Sequence, residues 1–131
     1  MTTKTTPQRK RMNATKRADA ILSKMVRERF GPCFAAGFRF DCGGSWQCCH
    51  IIRRRYYALR FREENVVKMC AAHHTWFSFH DLEWQDYVNE VACSEDSEIG
   101  LYDWLHRRAL TEPSEKSVDA LVRLRALSEE I

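Results

Sequence analysis

The stretch Cys70-Ala71-Ala72-His73-His74 limits this chain more than any other. A thiol and an imidazole three residues apart, at a turn into a helix, can supply half of a tetrahedral zinc site, and such a site closes only with a second pair from elsewhere. The upstream candidates are Cys33, Cys42, Cys48 and Cys49. Cys48 and Cys49 fall in a stretch that reads as a strand, where neighbouring side chains point to opposite faces, so they cannot both turn toward one ion. Cys33 and Cys42 flank Gly37 in a glycine-bearing segment that bends easily. The preferred set is therefore Cys33, Cys42, Cys70 and His73, holding a structural zinc that stabilises a unit with little core of its own. The alternative is that several of these thiols are buried as small hydrophobes. Six cysteines and no charged-then-apolar leader point to a reducing compartment rather than to disulfides.

The net charge of +3 conceals an asymmetry along the chain. Residues 1–30 carry nine Lys and Arg against two acids, and residues 31–70 carry seven against three. Residues 71–131 reverse this, with five against thirteen. A basic front half with an acidic back half suits a protein that presents one end to a polyanion, here nucleic acid. The acidic back half reads as solvated helix faces. No apolar run approaches a membrane span, so the chain is expected to act away from membranes.

The length of 131 residues fits one domain with appended helices. Residues 1–14 hold Pro7 and four basic residues without apolar periodicity, and read as a flexible basic arm. From Thr15 to Phe30, Ile21, Leu22, Met25, Val26 and Phe30 recur at helical spacing until Gly31-Pro32 ends the helix. "WQCCHII" and "YYALRF" are rich in aromatic and β-branched residues and could pair as a two-stranded ribbon across Arg53–Tyr56. From Val66 a helical reading takes over, with the Trp and Phe residues of "CAAHHTWFSFH" packed on the ribbon. Asp81 is expected to cap the next helix, a third spans about 97–110, and Ser114 caps a last one with Val118, Leu121, Val122, Leu124 and Leu127 on its apolar side. These boundaries divide the chain into the arm 1–14, a core 15–92 with its leading helix, and a helical extension 93–131.

His50, Asn65 and His74 follow one another in this ribbon-then-helix context. A neutral imidazole can take a proton from an attacking water. An asparagine amide can fix either the loop or the ring by hydrogen bonding. A helical histidine can hold a divalent ion that neutralises charge on a scissile phosphate. Arginines beyond the base, Arg53, Arg54, Arg55 and Arg60, can clamp neighbouring phosphates.

The run "QCCHIIRRRYYALRFREENVVKMCAAHH" resembles the core of HNH (ββα-metal, His-Me finger) endonucleases, closest to the phage branch with NinG-type recombination nucleases and endonuclease VII-like resolvases. The pieces that carry the resemblance are His50-Ile51, the arginine triplet, Leu59-Arg60-Phe61, Glu64-Asn65 and Cys70-x-x-His73-His74, and it covers roughly residues 33–85. There are departures. His73 stands where the family has a second knuckle cysteine, and the first C-x-x-C is reduced to Cys33, with Cys42 as its substitute. Where family members place a metal-binding aspartate, this chain has Gln47 and Cys49. Gln47 could ligate through its carbonyl oxygen, a thiolate at Cys49 would favour zinc or another late metal, and His80 is a further candidate ligand.

The expectation is thus a small α+β chain, a zinc-stapled ββα-metal core with an N-terminal basic helix and C-terminal helices. The resemblance implies metal-dependent hydrolysis of DNA phosphodiesters, on branched or recombination-related DNA, in the cytoplasm of a bacterial host. His50 would be the base, and His74 the ligand of a catalytic Mg, Mn or Zn ion assisted by Gln47 or His80. The C-terminal helices could form a homodimer or meet a phage replication or packaging protein. The competing expectation is an inactive zinc-knuckle DNA-binding or adaptor module, which the missing aspartate favours.

Overall fold

Two five-residue strands organise the centre of the molecule. The computed structural model describes residues 7–94 and 98–129. Strand β1 is Trp46–His50 and strand β2 is Val66–Cys70, antiparallel, with Trp46 opposite Cys70 and His50 opposite Val66. The second strand is not the expected "YYALRF". That segment closes one turn on another, with Tyr56 N–H to Arg53 O, Leu59 N–H to Tyr56 O and Arg62 N–H to Leu59 O, all at 3.1 Å. Its buried residues, Ala58, Leu59 and Phe61, do not alternate as a strand requires. The β-branched pair Val66-Val67 starts the strand instead, so the helical reading from Val66 was five residues early.

Five helices surround this ribbon among the described residues: α1 (Pro7–Arg27), α2 (Ala71–Ser78), α3 (Asp81–Val91), α4 (Leu101–Thr111) and α5 (Ser117–Glu129). The fold is small and mixed α+β. Helix α1 begins at Pro7, a residue well suited to a first helical turn, rather than near Thr15. It thus takes in residues 7–14 of the basic segment, while residues 1–6 lie outside the described residues. The cap of α3 is His80 rather than Asp81, which is the first helical residue. Ser114 lies before α5 without capping it.

Buried side chains fall into two groups. One lies between the ribbon, α2, α3 and α4 and includes Cys33, Cys49, Ile51, Ile52, Leu59, Met69, Phe77, Trp84 and Leu105. Trp84 also donates its indole N–H to Ile51 O at 3.1 Å. The other joins the two ends of the chain: Ala14, Ala18, Leu22 and Val26 of α1 meet Ala120, Leu121 and Leu124 of α5, with Phe61 and Val66 beneath. The strict four-residue spacing on α1, with alanines at two of its four positions, makes a narrow stripe onto which a second helix can sit closely. Four expected core residues stay outside. Phe30 follows the end of α1 and is exposed, Phe79 caps the C-terminus of α2 and is exposed, and Val118 and Val122 face solvent on α5.

No helix among the described residues is long and apolar enough to cross a membrane.

Candidate metal centre and histidine cleft

Cys33, Cys42, Cys70 and His73 converge. One ligand atom from each lies within 4.8 Å of all the others. The sulfurs of Cys33, Cys42 and Cys70 stand 3.9, 3.8 and 3.1 Å from His73 Nδ1. A tetrahedral zinc with ordinary bond lengths sets its sulfur–nitrogen pairs at about 3.6 Å, inside that spread. The tautomer also suits an ion. His73 Nε2 lies 2.8 Å from Phe38 O, and a carbonyl only accepts, so Nε2 carries the proton and Nδ1 turns its lone pair to the three sulfurs. Phe40 stacks on the ring at 4.2 Å between centroids. The four residues therefore could hold zinc, as the sequence expected.

Local structure explains how four distant residues meet. Cys70 ends β2 and caps α2, its sulfur accepting from His73 N–H at 3.4 Å. Cys33 Sγ accepts from the N–H groups of Ala35 and Cys70 at 3.4 and 3.3 Å. Cys42 is brought in by the following loop, where Ala71 and Ala72 N–H bind Ser45 O and Gly43 O at 2.9 and 3.0 Å. Gly44 is required there: its φ is +83°, and a Cβ would come within 2.7 Å of Ala71 Cβ. Burial works against ionising Cys70, but the N–H donors around its sulfur win and hold the thiol down at about 6. A thiolate is the form a metal takes.

His50 ends β1 half-buried. Its Nε2 lies 2.8 Å from Arg60 O, so Nε2–H donates and Nδ1 keeps a lone pair. Burial lowers its pKa below the usual histidine value, the Arg60 carbonyl opposes this, and the nearby Arg54 charge adds to the lowering. The carbonyl that fixes His50 is itself held. Arg60 makes a bidentate pair with Asp19 of α1, at 2.6 and 3.2 Å. Its guanidinium also bonds Tyr57 Oη and Arg54 O, and its charge is engaged inward rather than standing free.

Asn65 is fully buried and fixes the loop, not the imidazole. Its Oδ1 accepts from Ile52 N–H at 2.8 Å, and its Nδ2 donates to Ile52 O at 3.0 Å and Leu59 O at 3.2 Å. All of its hydrogen-bonding capacity that matters in a buried site is used, which is the condition for burying an amide without cost.

On α2, His74 Nδ1 lies 2.7 Å from Gln47 Oε1. With the amide oxygen toward the ring, Nδ1–H donates and Nε2 is left open. Gln47 therefore orients His74, as an outer partner orients a ligating imidazole. Burial first, then Arg54, lowers the His74 pKa below the ordinary value. Cys49 is buried on the face opposite Cys48, and burial pushes its thiol up to about 12, away from the thiolate a metal needs. His80 is not brought to His74: it stacks on Trp76 at 3.7 Å, and its Nδ1 lies 2.6 Å from Trp76 O. Among the described residues, no second group of three His, Cys, Asp or Glu side chains gathers in this way.

Two open clefts meet at His50, Arg53 and His74. One, of about 300 Å³, runs toward Asp81, Trp84 and Tyr102. The other, of about 570 Å³, runs along α1 past Lys16, Asp19, Ala20 and Ser23, with Arg54 on its rim. The arginine triplet lies in the loop after β1. Arg53 pairs with Asp81 at 3.2 Å, and Arg55 lies over its neighbour Tyr56. Sequence reasoning missed Asp19, Lys16 and Ser23. The signal for Asp19 was available, since it is one of only two acids in the first thirty residues.

Compared with protein-family models, with curated proteins and with solved structures, the chain finds no match.

Proposed function

We propose that the chain is an HNH-type, metal-dependent DNA endonuclease. The observation that carries the reading is the state of the two histidines: His50 has Nδ1 free with Nε2–H bound to Arg60 O, and His74 has Nε2 free with Nδ1–H bound to Gln47. Both line the same pair of clefts beside Arg53. His50 Nδ1 takes a proton from water, and the water oxygen bonds to phosphorus as one phosphate ester bond breaks. His74, through its open Nε2, would hold a catalytic cation, which would supply neutralisation of charge on the phosphate and the leaving oxygen. Asn65 keeps the loop, and with it the Arg60 carbonyl, in register with His50. Arg53 and Arg54 grip the backbone, a contact that weakens steeply with salt. The Cys33, Cys42, Cys70, His73 zinc is structural in this reading.

The test is nicking of supercoiled plasmid with Mg²⁺, Mn²⁺, Co²⁺ or Zn²⁺, beside His50→Ala. Loss of a positioned base lowers rate by about 10²–10⁴-fold. The resemblance to phage recombination nucleases extends the proposal to branched DNA, so a four-way junction belongs beside the linear duplex.

One observation favours the second reading, an inactive zinc-knuckle DNA-binding module. The positions where the family carries a metal-binding carboxylate hold Gln47, which is spent on His74, and Cys49, which is buried. A parent protein that shifts DNA in a gel yet nicks with none of the four metals would establish that module in place of the enzyme.

A further inference from the structure

We propose that α1 is the outer wall of a DNA-backbone channel, in which Lys16, Ala20 and Ser23 face Arg54 and lead one strand of a duplex to His50 and His74. What happens at the histidines rests on the nuclease reading, whereas the channel itself requires only binding. Lys16, Ala20 and Ser23 share one face of α1, since positions four and three apart are neighbours on a helix. That face is distinct from the Ala14, Ala18, Leu22, Val26 stripe that packs on α5. The groove it borders holds about 570 Å³ and ends at the two imidazoles.

The charge of the groove is suited to phosphate. Its only acid, Asp19, is already neutralised by the bidentate Arg60 pair. Neither Lys16 nor Arg54 makes an ion pair with any described residue, so both charges are available. Arg54 lines the same groove as His50 and His74, which places its charge beside both. The floor is small. Ala20 is exposed and leaves room for a backbone, and Ser23 Oγ accepts from Arg27 Nε at 3.2 Å, leaving its hydroxyl hydrogen for a phosphate oxygen. Lys24 lies on the same helix but borders a different groove with Ile21 and Met25, and it faces Glu28 at 4.0 Å. It is the control.

The experiment measures fluorescence polarisation of a labelled DNA duplex with the zinc-loaded full chain, without added magnesium, across a salt series. Lys16→Ala should reduce the slope of log K against log salt by about 0.9, the value of one lost phosphate contact on duplex DNA. Ala20→Glu, at an exposed position where glutamate is a good helix former, should weaken binding about tenfold or more with an unchanged circular dichroism spectrum. Lys24→Ala should bind as the parent does. The channel is overturned if Lys24→Ala costs as much as Lys16→Ala, because α1 then attracts DNA by diffuse charge, or if Ala20→Glu binds like the parent. A parent that binds through Lys16 and Ala20 but never nicks plasmid supports the channel and removes the nuclease reading. A parent that binds no duplex removes both.

Discussion

The two halves of the interior are built on different physics. The half around the ribbon is lined by thiols and rings: Phe34, Phe38, Phe77, Trp84 and Tyr87 contact one another, mostly edge-on or tilted with Phe38 stacked on Phe77, and three sulfurs and an imidazole point into a common space. The half between α1 and α5 is mainly aliphatic, a ladder of alanine, valine and leucine resting on Phe61. The second half adds to its apolar area, worth roughly 25 cal/mol per Å² buried, a Thr15–Ser117 hydrogen bond at 2.6 Å between the two helices and the Arg123 bond to Phe61 O at 2.8 Å. The first packs a larger, ring-rich set of side chains around short strands, and its geometry also converges on a ligand cradle. The lesson is that a chain this size can divide the task, closing its ends with leucines and gathering at its centre four residues that could hold a metal.

Chelation is the strongest way to test that division. Structural zinc contributes on the order of 10 kcal/mol in small domains, so a tight chelator should unfold the ribbon half. All four tryptophans, Trp46, Trp76, Trp84 and Trp104, lie outside α1 and α5, so their emission reports on that half alone. It should shift to the red on chelation, and unchanged emission would break the comparison. Next in size, Leu124→Ala should cost about 2–5 kcal/mol and lower the thermal midpoint, while metal analysis still finds one zinc per chain. Loss of zinc in that variant would show the two halves to be one.

Asp19→Asn cuts the tie between them. It leaves Arg60 without its carboxylate partner, should cost about 1–3 kcal/mol, and should slow nicking because the carbonyl that aligns His50 is no longer held. A variant with full activity would remove Asp19 from the site. Acid comes next. His50 and His74 both have pKa values lowered below 6.5, so the unfolded chain binds more protons in the window beneath that value. Stability from these groups is full above pH 6.5 and falls as pH drops through the folded values. Nicking should hold down to pH 6.5 and fail only below it, and a midpoint above 7 in the rate profile would contradict a neutral, buried base. Val122→Ser, on the exposed face of α5, should move the thermal midpoint by less than about 0.5 kcal/mol in equivalent terms.

The cradle was legible from the sequence because ligand chemistry is local in type even when it is distant in position. Cys48 and Cys49 could be set aside by strand alternation alone, and they do lie on opposite faces: Cys48 packs toward α1, and Cys49 is buried among the ring-lined core. The ribbon partner was not legible. "YYALRF" has better strand residues than "VVKMC", but its turns are fixed by Asn65, a long-range contact that propensity does not carry. The apolar side of α5 was misjudged for a similar reason. Val118 and Val122 are as hydrophobic as Leu124, and only the position of α1 decides which stripe is covered. Arg60 read as a phosphate contact because its partner Asp19 is forty-one residues away.

The amide of Asn65 has a consequence for the ribbon as a counting device. Ile51 N–H bonds the Asn65 main-chain oxygen at 2.7 Å, and the next rung, at Ile52, is filled by the Asn65 side chain in both directions. A side chain thus imitates a strand's peptide group and adds one rung beyond the last paired residues, His50 and Val66. Backbone rungs are interchangeable, so a two-stranded ribbon by itself can slide. A rung made by one particular amide is not interchangeable. Sliding by a single residue would strand its buried donors and acceptor, at about 1–3 kcal/mol for each polar group left alone. The asparagine therefore acts as an index mark, setting which residue of β1 comes last and hence that this residue is a histidine.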